Sequence, residues 1–143
     1  MKSERGQALV IAAILIGIGA LAIVGLRAVQ DRMLANAISQ DAGEAAVEAA
    51  AAVVADAYVA RIDSLRAHAF DLPRPTADIV GMLADPATRE TARAAAAEAA
   101  ARNGGEFDGT VELRCVGATI EIEIHHTGRL HRAAVQADAC SPR

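Results

Sequence analysis

Hydrophobic and polar positions change rhythm several times along this chain. Gly6 to Leu26 (GQALVIAAILIGIGALAIVGL) holds no charged residue and shows no amphipathic period. A helix over that run, at about 1.5 Å per residue, covers roughly 30 Å, the thickness of a bilayer's hydrocarbon core. The pattern therefore predicts a membrane-spanning helix. An uncleaved signal-anchor fits better than a cleaved secretory signal, because the apolar run is too long and a helical pattern continues beyond Arg27. From Arg27 to Leu72 there is no proline, and Gly43 is the only glycine. Val47, Val54, Tyr58, Ile62 and Leu65 recur at helical offsets there and form one apolar stripe. The span is thus expected to run on into an amphipathic stalk, the helix from Gly6 to Leu72 reaching on the order of 100 Å. Gly43 is the expected kink or break. The poly-alanine stretch Ala49 to Ala52 makes weak heptads, so the stalk should pack on the chain's own sheet or on a neighbouring subunit.

Pro73-Arg74-Pro75 ends the stalk, since proline cannot continue a helix and restricts the residue before it. Thr76 to Ala84 reads as a short helix. Asp85-Pro86 opens another with an N-cap carboxylate and a proline at the first helical position, and Asn103-Gly104-Gly105 closes it. Its small, flat face comprises Ala92, Ala95, Ala96 and Ala99.

The period then becomes two. Thr110 to Val116 places Val111, Leu113 and Cys115 on one face, and Thr119 to His126 places Ile120, Ile122 and Ile124 likewise. Gly117-Ala118, with glycine at the first central position, predicts a type II′ hairpin. That loop sets Cys115 against Ile120, Leu113 against Ile122, Val111 against Ile124 and Arg114 against Glu121. Thr127-Gly128 makes a second tight turn, pairing Ile120 with Val135, Ile122 with Ala133 and Glu123 with Arg132. Two independent turns thus segregate apolar from polar and match opposite charges across strands. The fold class is α+β: a long N-terminal transmembrane-plus-stalk helix, a further helix, and a three-stranded antiparallel meander. Residues 1–26 form the tail and transmembrane helix, 27–72 the stalk, and 73–143 an extracytoplasmic head.

Composition sharpens this picture. The chain is 53% hydrophobic but only 2% aromatic, with alanine supplying most of the excess, so closely packed helices are favoured over a thick core. A net charge of −4 argues against nucleic acid, which selects basic stripes with stacking aromatics. Lys2 and Arg5 flank the span on one side and Arg27 and Arg32 on the other, nearly balancing the positive-inside count. The short N-terminal tail and the two cysteines favour an N-terminus inside and a C-terminal domain outside the cytoplasmic membrane. Within the span, Ala13, Gly17, Gly19 and Gly25 offer a small-residue face for helix packing.

Cys115 and Cys140, the only cysteines, fall at the same end of the meander but two strands apart, roughly 10 Å at about 4.8 Å per strand. A disulfide between them requires the Ala139-Cys140 tail to curl over the first hairpin, and an exported domain would favour that bond.

Recognisable chemistry is sparse. His125 and His126 point to opposite faces of their strand, and His126 lies diagonally across from His131. No third ligand stands near them in sequence, so polar residues at a sheet end are expected rather than a metal. Ser3, Ser39, Ser64 and Ser141 lack any nucleophile motif, and no phosphate loop or CxxC pair occurs. The expectation is a protein with no catalytic residue, metal, cofactor or small-molecule substrate, and not an enzyme.

Arg5-Gly6-Gln7-Ala8-Leu9-Val10, running straight into the apolar helix, resembles the start of TadE/TadG-like proteins of the tight-adherence (Flp) pilus system. The stalk sequence Ser39-Gln40-Asp41-Ala42-Gly43-Glu44-Ala45-Ala46-Val47 is similar to that family's post-membrane helix, and the alanine-rich helix, Asn-Gly and β-rich ending are similar too. The resemblance implies a pilin-like fold and a processing site between Gly6 and Gln7. It further implies a minor pseudopilin or assembly component of a Tad/Flp-type pilus or type II/IV-like secretion machine. Its partners would be membrane lipid and other pilin-like or platform membrane proteins. Pilins carry a glutamate shortly after the processing glycine, and counting from Gly6 that position is Ile11. The expectation is therefore an uncleaved, anchored component rather than the polymerising pilin. The alternative is a bitopic envelope adaptor whose exported head is a protein-binding module.

Overall fold

The computed structural model describes residues 3–68 and 75–141, with side chains from residue 10 onward in the first stretch and from 78 in the second. Helix α1 spans Ser3–Ala67, α2 Pro75–Ala84 and α3 Pro86–Arg102. Strands β1 (Thr110–Val116), β2 (Thr119–His126) and β3 (Arg129–Gln136) follow, and a 3-10 turn, η1, covers Asp138–Cys140. The fold is α+β, as the patterning predicts. Two compact units divide at Ala37 and Ile38, so the stretch of α1 from Ile38 onward belongs to the head.

The first unit contains the one segment among the described residues that is long and apolar enough to cross a membrane, near the N-terminus. Its large side chains are exposed, as at Ile16 (73%) and Leu21 (74%). An aperiodic apolar run of this length, exposed all round, has the length and composition of a segment that spans a bilayer's hydrocarbon core.

In the second unit the sheet is a β1-β2-β3 meander. Cys115 pairs with Ile120, Leu113 with Ile122, Val111 with Ile124 and Arg114 with Glu121. Ile120 pairs with Val135, Ile122 with Ala133 and Glu123 with Arg132. Two-residue loops fix these registers. Gly117 has φ +58° and Ala118 does not share a positive φ, as a type II′ turn requires. The second turn differs, because both Thr127 (φ 49°) and Gly128 (φ 74°) are left-handed, which is the type I′ arrangement.

The core forms between one face of this sheet and the helices. Ile120, Ile122 and Ile124 of the central strand are fully buried, together with Val54 of α1 and Ile79 of α2. Each such side chain contributes about 1.5–3 kcal/mol through lost apolar surface. Ala42, Ala46 and Ala50 are also fully buried in this cluster, and Val47 nearly so. Ala42 and Ala46 extend the Val47, Val54, Tyr58, Ile62, Leu65 stripe towards the N-terminus, and Ala50 fills it between Val47 and Val54. Alanine serves there because it lets a helix backbone approach a sheet closely.

Gly43 does not break α1. The helix runs through it, and a Cβ built at that position would lie 2.3 Å from Nε2 of His131. The glycine leaves room for an imidazole, and neighbouring alanines supply enough helix propensity to carry it. Helix α1 ends at Ala67 instead of Leu72, while Pro73 and Arg74, expected to end it, lie outside the described residues.

Helix α3 begins as expected. Asp85 caps it, accepting from the Ala87 amide at 3.1 Å, with proline at the first turn. Its buried face is Ala92, Ala96, Ala99 and Ala100, so Ala100 replaces the expected Ala95, which is only partly buried. Arg89 Nε donates to the Leu83 carbonyl at 2.9 Å and satisfies one of the free carbonyls at the end of α2. Arg61 of α1 and Asp78 of α2 form a bidentate ion pair that ties the two helices.

Candidate functional site

The small-residue positions of the span, Ala13, Gly17, Gly19 and Gly25, all lie in α1 and are exposed. A Cβ added at Gly17, Gly19 or Gly25 would meet nothing within 4 Å. No element of the described chain covers this surface. Gly6 and Gln7 are helical, and their side chains lie outside the described set.

Cys115 and Cys140 are joined by a disulfide, with Cα atoms 5.4 Å apart. After β3 the chain crosses the sheet end: the Ala137 amide donates to the Ala118 carbonyl at 2.8 Å, and η1 then brings Cys140 over the first hairpin. Tyr58 Oη of α1 accepts from the Ala139 amide at 3.4 Å, so the curled segment also touches the helix. The bond encloses a sequence separation of 25 residues, for which chain-entropy reasoning gives about 3.5 kcal/mol.

The opposite end of the sheet carries the polar cluster. His126 of β2 is buried (1% exposed), and its Nδ1 sits 3.0 Å from Oδ1 of Asp108, in the loop ahead of β1. The ring stacks on Phe107 at 6.0 Å between centroids. His131 of β3 is 9% exposed, its ring centre 6.5 Å from that of His126. Its Nε2 is buried without a hydrogen-bond partner and faces Gly43. At the turn, Ser39 Oγ and Thr127 Oγ1 share a hydrogen bond of 2.7 Å, and the Thr127 amide reaches Asp108 Oδ1 at 3.5 Å. A β-branched residue with a left-handed φ is strained by its own sterics, and these two bonds hold it.

Electrostatics follow from the packing. Hydrogen bonding to His126, then to the Thr127 amide, holds the Asp108 carboxyl below its ordinary pKa. Burial lowers the His131 pKa, the neighbouring His126 and Arg129 push it down further, and Glu44 pulls it partly back. Beside these groups an open depression is lined by Gln40, Glu44, Arg129, Leu130 and His131. Among the described residues, no group of three or more His, Cys, Asp or Glu is placed to hold a metal.

Sequence reasoning put His126 and His131 on one face, and the structure brings them together there. It missed their burial, and it missed Asp108 and Phe107. The available signal was the segment Phe107-Asp108-Gly109 directly before β1: Gly109 packs against the His125 carbonyl and turns its neighbours over the sheet end. His125, on the other face, is exposed.

On the outer sheet face the expected pairing of Glu123 with Arg132 is present, but patterning did not foresee the burial of Glu123 or its contact with Arg114. Glu123 is only 5% exposed, with Arg114 Nη2 and Arg132 Nε both 2.6 Å from its Oε1. Neither guanidinium meets hydrogen-bond geometry at that atom, so the arrangement is an ion-pair sandwich across three strands. Arg114 also pairs with Glu121 at 3.3 Å.

Among the described residues, the fold and its sites thus comprise one long apolar helical stretch and a disulfide-linked α+β head. Compared with known proteins, the chain matches no family model, no curated protein and no solved structure.

Proposed function

We propose that this protein is a non-enzymatic, membrane-anchored minor pseudopilin or assembly component of a Tad/Flp-type pilus or type II/IV-like secretion machine. One observation carries the reading: α1 supplies both the exposed apolar span and the alanine face buried in the head's core. The open small-residue face of the span suits packing among other membrane helices. The disulfide fits a head outside the cytoplasm, which leaves the N-terminus on the cytoplasmic side of the cell membrane.

Two measurements on the full chain test this. An alkaline phosphatase fused after the head should be active, and inactivity with a fluorescent cytoplasmic fusion would end the reading. A photo-crosslinker at Leu21 should yield adducts with other small, single-helix membrane proteins. Adducts with lipid alone would remove the assembly role.

A further inference from the structure

We propose that the contact between Ser39–Gly43 of α1 and the β2–β3 turn is a proton-operated latch, released when His131 takes up a proton. The neutral ring fits its site. It is nine-tenths buried, packed between Ile124 across the strand pair, His126 on the diagonal and the bare backbone of Gly43. A charged imidazole must donate from both nitrogens, and Nε2 has no acceptor in this packing. Charging the ring therefore leaves a buried N–H unpaired and a buried cation poorly compensated.

Groups facing the ring from each packed element set the balance. Arg129 on β3 and His126 on β2 oppose the added charge, while Glu44 on α1 favours it. Asp108 is already engaged with His126 and with the Thr127 amide. Glu44 is exposed and lies beside the open depression, so a charged His131 would meet it best by moving outward. That movement takes the ring away from Gly43 and disturbs the turn beside it. The Ser39–Thr127 bond is the other fastening at this place, and it restrains a residue in a strained conformation. Loss of the ring contact thus removes one fastening and loads the other, whereas the disulfide end of the sheet keeps its covalent tie.

The test is amide hydrogen exchange on the full chain in lipid nanodiscs, between about pH 7.5 and about pH 5, corrected for the intrinsic rate. Protection of Ser39 to Ala46 should fall about tenfold or more relative to Ala92 to Ala100 across that range, and His131→Gln should abolish the response. Gly43→Ala should expose the same segment at both pH values. Protection retained at the lower pH, or an equal loss in wild type and His131→Gln, would overturn the proposal. Should either variant fail to fold by circular dichroism, histidine NMR of the wild type decides. The His131 ring should titrate below its value in the unfolded chain, with the Ser39–Thr127 proximity lost along the same curve. A ring that titrates at or above that value, or a proximity that persists through the titration, overturns it equally.

Discussion

Helix α1 carries two apolar stretches with opposite composition and opposite surroundings. Between Val10 and Leu26 the large side chains of isoleucine, leucine and valine are exposed, while between Ala42 and Ala50 the buried positions are mostly alanine. Side-chain size tells the two apart better than hydrophobicity. Lipid tails are fluid and conform to any large aliphatic surface, so a stretch suited to a bilayer gains from bulk. A β-sheet is rigid and close-packed, so the helix that lies on it gains from smallness, down to the missing Cβ of Gly43.

Removing the same kind of side chain on each side breaks the comparison most sharply. Ile122→Ala should destabilise the head by about 2–5 kcal/mol, because it opens a cavity in the central strand. Ile16→Ala should change head stability by less than about 0.5 kcal/mol, and denaturant melts of the full chain in detergent would compare the two. Next in size is the disulfide: Cys115→Ser with Cys140→Ser should cost about 2–4 kcal/mol in the same melts, leaving membrane insertion unchanged. Reversing the substitution tests smallness itself. Ala46→Leu should cost the head about 1–3 kcal/mol by overpacking, and Ala13→Leu should leave head stability alone, disturbing only helix association in the membrane.

The smallest effect is that of pH. Because the His131 pKa is depressed in the fold, the unfolded chain binds the proton more readily, and stability is lost as pH falls below about 6.5 towards the folded value. His131→Gln should flatten that slope. Asp108, also depressed, contributes above its unfolded value near about 4 and loses that contribution only in stronger acid. A melt that weakens as the pH is raised from about 5 to about 7 would contradict the sign given for His131.

The sheet was legible because its information is local. Two-residue turns at Gly117-Ala118 and Thr127-Gly128 leave one register for each strand pair, and a slip by one residue would put Ile120, Ile122 and Ile124 into water. Helix α3 was legible at its ends for a similar reason, since caps are written in adjacent residues. What stayed hidden depends on contacts distant in sequence. Gly43 carries the mark of a helix breaker, and only the arrival of His131 from β3 makes it a site of close approach. The burial of Glu123 needs two arginines from flanking strands to close over it. Asp108 is one carboxylate among many until the fold brings His126 beneath it. The disulfide lay between these cases: register placed both cysteines at one end, while the curl of η1 supplied the remaining approach.

That closure has a mechanical side. Strands β2 and β3 lie wholly inside the covalent loop from Cys115 to Cys140. Tension entering through the residues before β1 and leaving through those after η1 passes across the sulfur bridge and bypasses both strands. At about 3.4 Å per residue, the enclosed 25-residue separation withholds roughly 85 Å of contour length from any pull. Under load this head can shed its helices from the sheet, but it cannot pay out the hairpin that holds its core isoleucines until the bridge is reduced.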